Sequence, residues 1–168
     1  MDSSFEHLSV FAEVAAALVG FIAIFFVLVR REEKFPAEDA IRIRVMVLVG
    51  FAGICMSLLP IAVAEASLGD VQVWVVSSAA FILMIGSIAA YTAVRHFRLP
   101  YTARENIPWS NLIIGWSCAA GAAGLLASNV LQTPVLGYSF SYTASLLLVL
   151  AVGATNFYTI AIQKLLEL

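Results

Sequence analysis

Residues 8–29 contain a single ionisable side chain, Glu13, before they meet Arg30-Arg31. A helix rises about 1.5 Å per residue, so about 20 mostly apolar residues cross a hydrocarbon core about 30 Å thick. Four more runs of that length follow, at residues 45–66, 71–94, 109–131 and 141–162, and Glu65 is the only charged residue in any of them. Lipid offers the backbone no hydrogen-bond partner, so each run must satisfy its own amides and is expected to be a helix. The sequence therefore predicts an all-α fold, a polytopic transmembrane helix bundle of about five spans, with residues 1–168 forming a single transmembrane domain. Composition argues against a soluble alternative. With 62 % hydrophobic and 12 % charged residues and a mean hydropathy of +0.97, a water-soluble chain of this size could not hide its apolar surface.

The connections carry their own signals. Pro36 suits the first turn of a helix that leads into the second span, where Glu38 and Asp39 meet the helix dipole and Glu38 is spaced to pair with Arg42. Gly69-Asp70 predicts a tight turn in which Gly ends one helix and Asp caps the next. Asn106 is placed to cap a helix whose first turn holds Pro108, and Pro134 and Gly137 mark the last loop. All nine Lys and Arg residues fall on one side of this topology: Arg30, Arg31, Lys34, Arg42, Arg44, Arg95, Arg98, Arg104 and Lys164. Basic loops are retained in the cytoplasm during insertion, so the N-terminus is expected outside and the C-terminus inside. Trp74, Tyr101, Trp109, Tyr138 and Tyr142 sit near predicted span ends, as an interfacial aromatic belt requires. The acidic start, Met1-Asp2-Ser3-Ser4-Phe5-Glu6, is unlike a cleaved signal, so the first run reads as a retained span.

Several function classes fall away. A net charge of −2 and the lack of any basic run interleaved with aromatics exclude a nucleic-acid surface. His7 and His96 lie on opposite sides of the predicted membrane, and no helix carries ligands at metal spacing, so neither a metal, a cofactor nor an enzymatic activity is expected. Cys55 and Cys118, in the middle of apolar runs, read as packing residues.

Ionisable and polar groups inside spans are costly, which makes them the candidates. Glu13 lies about one turn inside the outer boundary of the first span, above Ala17, Gly20, Ile24 and Val27 on one helical face. In a ring of copies this face would form an acidic pore mouth closed by Ile24 and Val27; alternatively it is an interface with a partner helix, or Glu13 reaches the outer headgroups or bonds the helix carrying Ser128 and Asn129. In the fourth span, Ala120, Gly121, Gly124 and Ser128, with Ser117, give a small-residue face suited to close helix packing. Ser87, Tyr91 and Thr92 of the third span and Thr155, Asn156 and Thr159 of the fifth form a candidate polar patch. Pro60 is a candidate kink, and it releases the carbonyl of Met56, which needs another donor. A shift of 67 residues lays Gly86, Tyr91 and Thr92 on Gly153, Tyr158 and Thr159, a faint echo between the second-third and fourth-fifth hairpins.

The string Phe11-Ala12-Glu13-Val14-Ala15-Ala16-Ala17-Leu18-Val19-Gly20-Phe21, followed by Arg30-Arg31, resembles the opening of small, uncharacterised bacterial multi-span inner-membrane proteins. The resemblance implies a bacterial inner membrane and no particular activity. Two functional readings follow from the residues. One is a homo-oligomeric, cation-conducting channel or pore built on the first span. The other is a non-transporting membrane subunit, a sensor, scaffold or anchor, whose basic loops hold a cytoplasmic protein partner or anionic lipid of the bilayer.

Overall fold

The computed structural model describes residues 2–29, 37–66, 68–105 and 107–166. Among the described residues there are six helices: α1 (Asp2–Val29), α2 (Ala37–Ala64), α3 (Asp70–Phe97), α4 (Tyr101–Glu105), α5 (Trp109–Val130) and α6 (Tyr138–Leu166). Five of them contain segments long and apolar enough to cross a membrane: Phe5–Val27, Asp39–Ala64, Asp70–Phe97, Trp109–Val130 and Tyr138–Ile162. The chain is thus an all-helical, multi-pass membrane protein. Each predicted run lies within or nearly within one helix, which extends beyond it where polar residues continue the backbone pattern.

Packing follows a simple plan. α2, α3, α5 and α6 each touch the next and close into a four-helix ring, and α1 lies outside it against α2 and α6. Side-chain contacts show which way each helix runs. Phe5 stacks on Trp74 with ring centroids 6.1 Å apart, so α1 and α3 begin at the same end. Arg44 Nη1 lies 3.4 Å from the Tyr91 hydroxyl, so the start of α2 meets the end of α3. Asn111 and Thr159 bond at 3.0 Å, so the start of α5 meets the late part of α6. One end of the bundle therefore gathers Arg42, Arg44, Arg95, Arg98 and Arg104, and Glu6, Glu65 and Asp70 lie towards the other.

The ring is filled at the acidic end. Phe81, Leu126, Tyr142 and Leu146 are wholly buried there with Leu8 of α1. Tyr142 packs against Trp74 and Phe81 at centroid distances of 5.7 and 5.5 Å. It is therefore a core residue and no part of an interfacial belt, in contrast to the exposed Tyr101 and Trp109. Its position is explained by its hydroxyl, which donates to the Met56 carbonyl at 2.7 Å. That carbonyl lies four residues before Pro60 of α2, which has no N–H to offer it. A smaller cluster of Ile22, Met46 and Ile160 joins α1, α2 and α6 towards the basic end.

The helix ends differ from the expectation in detail. Gly69, at φ −63° and ψ 150°, is itself the residue before α3, and Asp70 is the first helical residue, with no side-chain cap. Its carboxylate still sits where the helix dipole favours an anion. Pro108 precedes α5 and accepts the Asn111 N–H at 3.0 Å, because its fixed φ of −60° with extended ψ already turns the chain into the helix. Asn106 and Pro36 lie outside the described residues. Arg42, expected beside Glu38, pairs with Asp39 at 3.4 Å; the Glu38 side chain lies outside the described residues. Arg104 donates to the Phe97 and Leu99 carbonyls at 2.8 and 3.4 Å, tying α4 to the end of α3.

Candidate functional site

Two regions carry unusual chemistry, and the first is α1. Leu8, Ala12, Ala15 and Ile22 turn one face of this helix into the bundle and are buried. The other face carries Glu13, Ala17, Gly20, Ile24 and Val27, and all five are exposed, Ile24 by 61 % and Val27 by 72 %. A Cβ added to Gly20 would meet nothing within 4 Å. The Glu13 side chain makes no hydrogen bond or ion pair among the described residues. The Asn129 amide, one candidate partner for it, instead donates to Ser78 Oγ at 3.1 Å and to the Tyr138 carbonyl at 2.9 Å. The α1 face is thus a line of small and apolar side chains below a carboxylate, turned away from the rest of the chain.

On α5 the small residues divide between two environments. Gly121 faces α6, where a Cβ would lie 3.3 Å from Leu148, but Gly124 looks into open space and Ala120 is exposed. Ser128 is half-buried and donates to the Leu125 carbonyl within its own helix.

The six residues of the candidate polar patch do not form a shared network. Ser87, Thr92, Thr155 and Asn156 each donate to the carbonyl four residues earlier in their own helix. Thr159 does the same with Thr155 and in addition bonds Asn111 of α5, and Tyr91 meets Arg44 of α2. The reason is geometric: α3 and α6 are mostly diagonal to one another in the ring, so their side chains face neighbours on α2 and α5.

Sequence reasoning missed a second polar group at the acidic end, where Ser77, Ser78, Asn129, Ser141 and Ser145 are all wholly buried. Ser145 Oγ lies 3.2 Å from the Ala122 carbonyl of α5 and 2.8 Å from that of Ser141. An amide near the end of an apolar run, Asn129, was the available signal; serines in a span are otherwise indistinguishable from small packing residues.

The second unusual region is a cavity of about 660 Å³ in the basic half of the ring, with walls from α2, α3, α5 and α6. Val49, Ala52, Ile85, Ala119 and Val149 line its deep part. Arg42, Thr92, His96, Asn111 and Asn156 lie within two or three turns of the basic end, so the lining is graded from apolar to polar. Buried Ile107, just after α4, also lines it. Trp109 and Phe97, exposed by 79 % and 72 %, stand at its rim on α5 and α3 with Trp116. The cleft opens between these exposed aromatic side chains and its walls are mostly apolar, so the region suits an apolar guest better than ordered water.

Among the described residues no group of three or more His, Cys, Asp or Glu is placed to hold a metal ion. No protein-family model, curated protein or solved structure matches the chain.

Proposed function

We propose that this multi-pass protein is a homo-oligomer of the bacterial inner membrane whose copies meet through the far face of α1 and together conduct cations passively. In this arrangement the N-terminus is outside, the C-terminus is in the cytoplasm, and Glu13 lines the outer mouth. The observation that carries the reading is the exposure of Glu13, Ala17, Gly20, Ile24 and Val27 on the side of α1 that points away from the ring. A carboxylate facing lipid at the bilayer centre costs on the order of 2.5–3.5 kcal/mol, less near the boundary. A hydrated mouth shared by several copies removes that cost and attracts cations. Small side chains at Ala17 and Gly20 allow close approach below it, and Ile24 and Val27 supply a dewetting constriction.

The test is reconstitution in planar bilayers of the wild type beside Glu13→Gln. Cation currents are expected from the wild type and several-fold weaker ones from the variant. In a background lacking Cys55 and Cys118, Gly20→Cys is expected to cross-link between copies under catalysed oxidation. Silence from both proteins across voltage and pH, with no cross-link, would instead favour a non-transporting subunit. For that reading the exposed Phe97 and Tyr101 beside Arg98 at the basic end offer a surface to a cytoplasmic partner.

A further inference from the structure

We propose that the cavity in the basic half of the ring binds one anionic lipid of the adjoining leaflet, with an acyl chain among Val49, Ile85 and Val149 and the headgroup beside Arg42 and His96. The site is separate from the α1 face and does not depend on conduction. Its dimensions fit a single leaflet. Along α2 the lining runs from Ile41 to Ala52, about 16 Å at helical rise and so about half of a 30 Å hydrocarbon core.

The chemical grading sets the guest's orientation. The deep walls are mostly aliphatic, with the hydroxyl of Ser117 next to Ala119. At the other end Arg42 is among the lining residues, is 4 % exposed and pairs with Asp39. Arg44, Arg95, Arg98 and Arg104 stand at the same end of the bundle. Glu38, Asp39 and Glu105 belong to the same segments and offset part of this charge, but five arginines exceed three carboxylates, so an anionic head is favoured over a zwitterionic one. Arg104, bonded to the end of α3, holds α4 beside the mouth. Entry is from the side, past the exposed Trp109, Trp116 and Phe97, where lipid chains are already in contact with the protein.

Trp116 serves as the reporter. A protein with Trp74→Phe and Trp109→Phe, placed in phosphatidylcholine nanodiscs, is titrated with phosphatidylglycerol carrying dibrominated chains or with dibrominated phosphatidylcholine. The expected result is saturable quenching that reaches half its maximum at a mole fraction at least severalfold lower for phosphatidylglycerol. Ala89→Phe, which fills the cavity from α3, is expected to abolish this difference, and Ala119→Leu does the same from α5 should the first variant lose its helical circular dichroism. Equal curves for the two lipids would overturn the proposal. So would a phosphatidylglycerol preference that survives in the folded cavity-filled variant, since that would be attraction to the basic surface alone.

Discussion

Met56 and Tyr142 are 86 positions apart in sequence, yet one bond of 2.7 Å between them resolves a local defect in α2. Pro60 deprives the Met56 carbonyl of its helical donor, and burial deprives it of water. Tyr142→Phe should therefore destabilise the bundle by about 1–2 kcal/mol, at the upper end of interhelical bonds in membranes because the orphaned carbonyl has no alternative. Pro60→Ala restores an N–H in register, so in that background the same change should cost less than half as much. Unfolding by added SDS in mixed micelles measures all four corners of this cycle, and equal costs in the two backgrounds would refute the account. The need for a donor is legible from Pro60 alone. Its identity is not, because a tyrosine near the end of an apolar run looks like an interfacial anchor until its neighbours are known.

At the scale of elements, the seam between α1 and α2 depends on glycines that look unremarkable in the sequence. A Cβ on Gly50 would fall on the Val19 side chain, and one on Gly53 would lie 3.0 Å from Leu150 and 3.2 Å from Ala15. Val19 is β-branched and has little rotamer freedom with which to yield. Gly50→Val is expected to cost about 1–3 kcal/mol by overpacking, read as an earlier midpoint in the same SDS titration. Gly20→Val, on the open face of α1, should leave the fold's midpoint almost unchanged and weaken only the association of copies. A fall of similar size in both would show that α1 packs in some other way. The candidate polar patch makes the same point from the other side. Six polar residues at matching depths suggest a network, but hydroxyls in helices readily bond their own carbonyls four residues back, and α3 and α6 lie mostly across the ring from each other.

For the molecule as a whole, the distribution of arginines makes a topological prediction that its contacts leave open. In a cysteine-free background, Thr102→Cys within α4 should be shielded from a membrane-impermeant maleimide in intact cells, and Thr133→Cys in the α5–α6 loop should react. Both positions are exposed and lie at opposite ends of the bundle. The reverse pattern would invert the orientation and place Glu13 nearer the cytoplasmic side, and labelling of both would break the five-span arrangement.

Length and hydropathy by themselves determined that this chain is helical and crosses a membrane about five times, because lipid permits the backbone no other way to satisfy itself over such runs. Loop residues located the helix ends to within a few positions, as Pro108 and Asp70 illustrate. Which faces meet was left to the tertiary structure. Apolar side chains are equally content against lipid or protein, so the sequence carries little amphipathic signal to separate the buried Leu8 and Ile22 of α1 from its exposed Ile24 and Val27. The closing of α2, α3, α5 and α6 into a ring, the exclusion of α1 from it and the cavity left in its basic half all depend on how side-chain volumes fit between helices distant in sequence, and that fit exists only once the helices are packed.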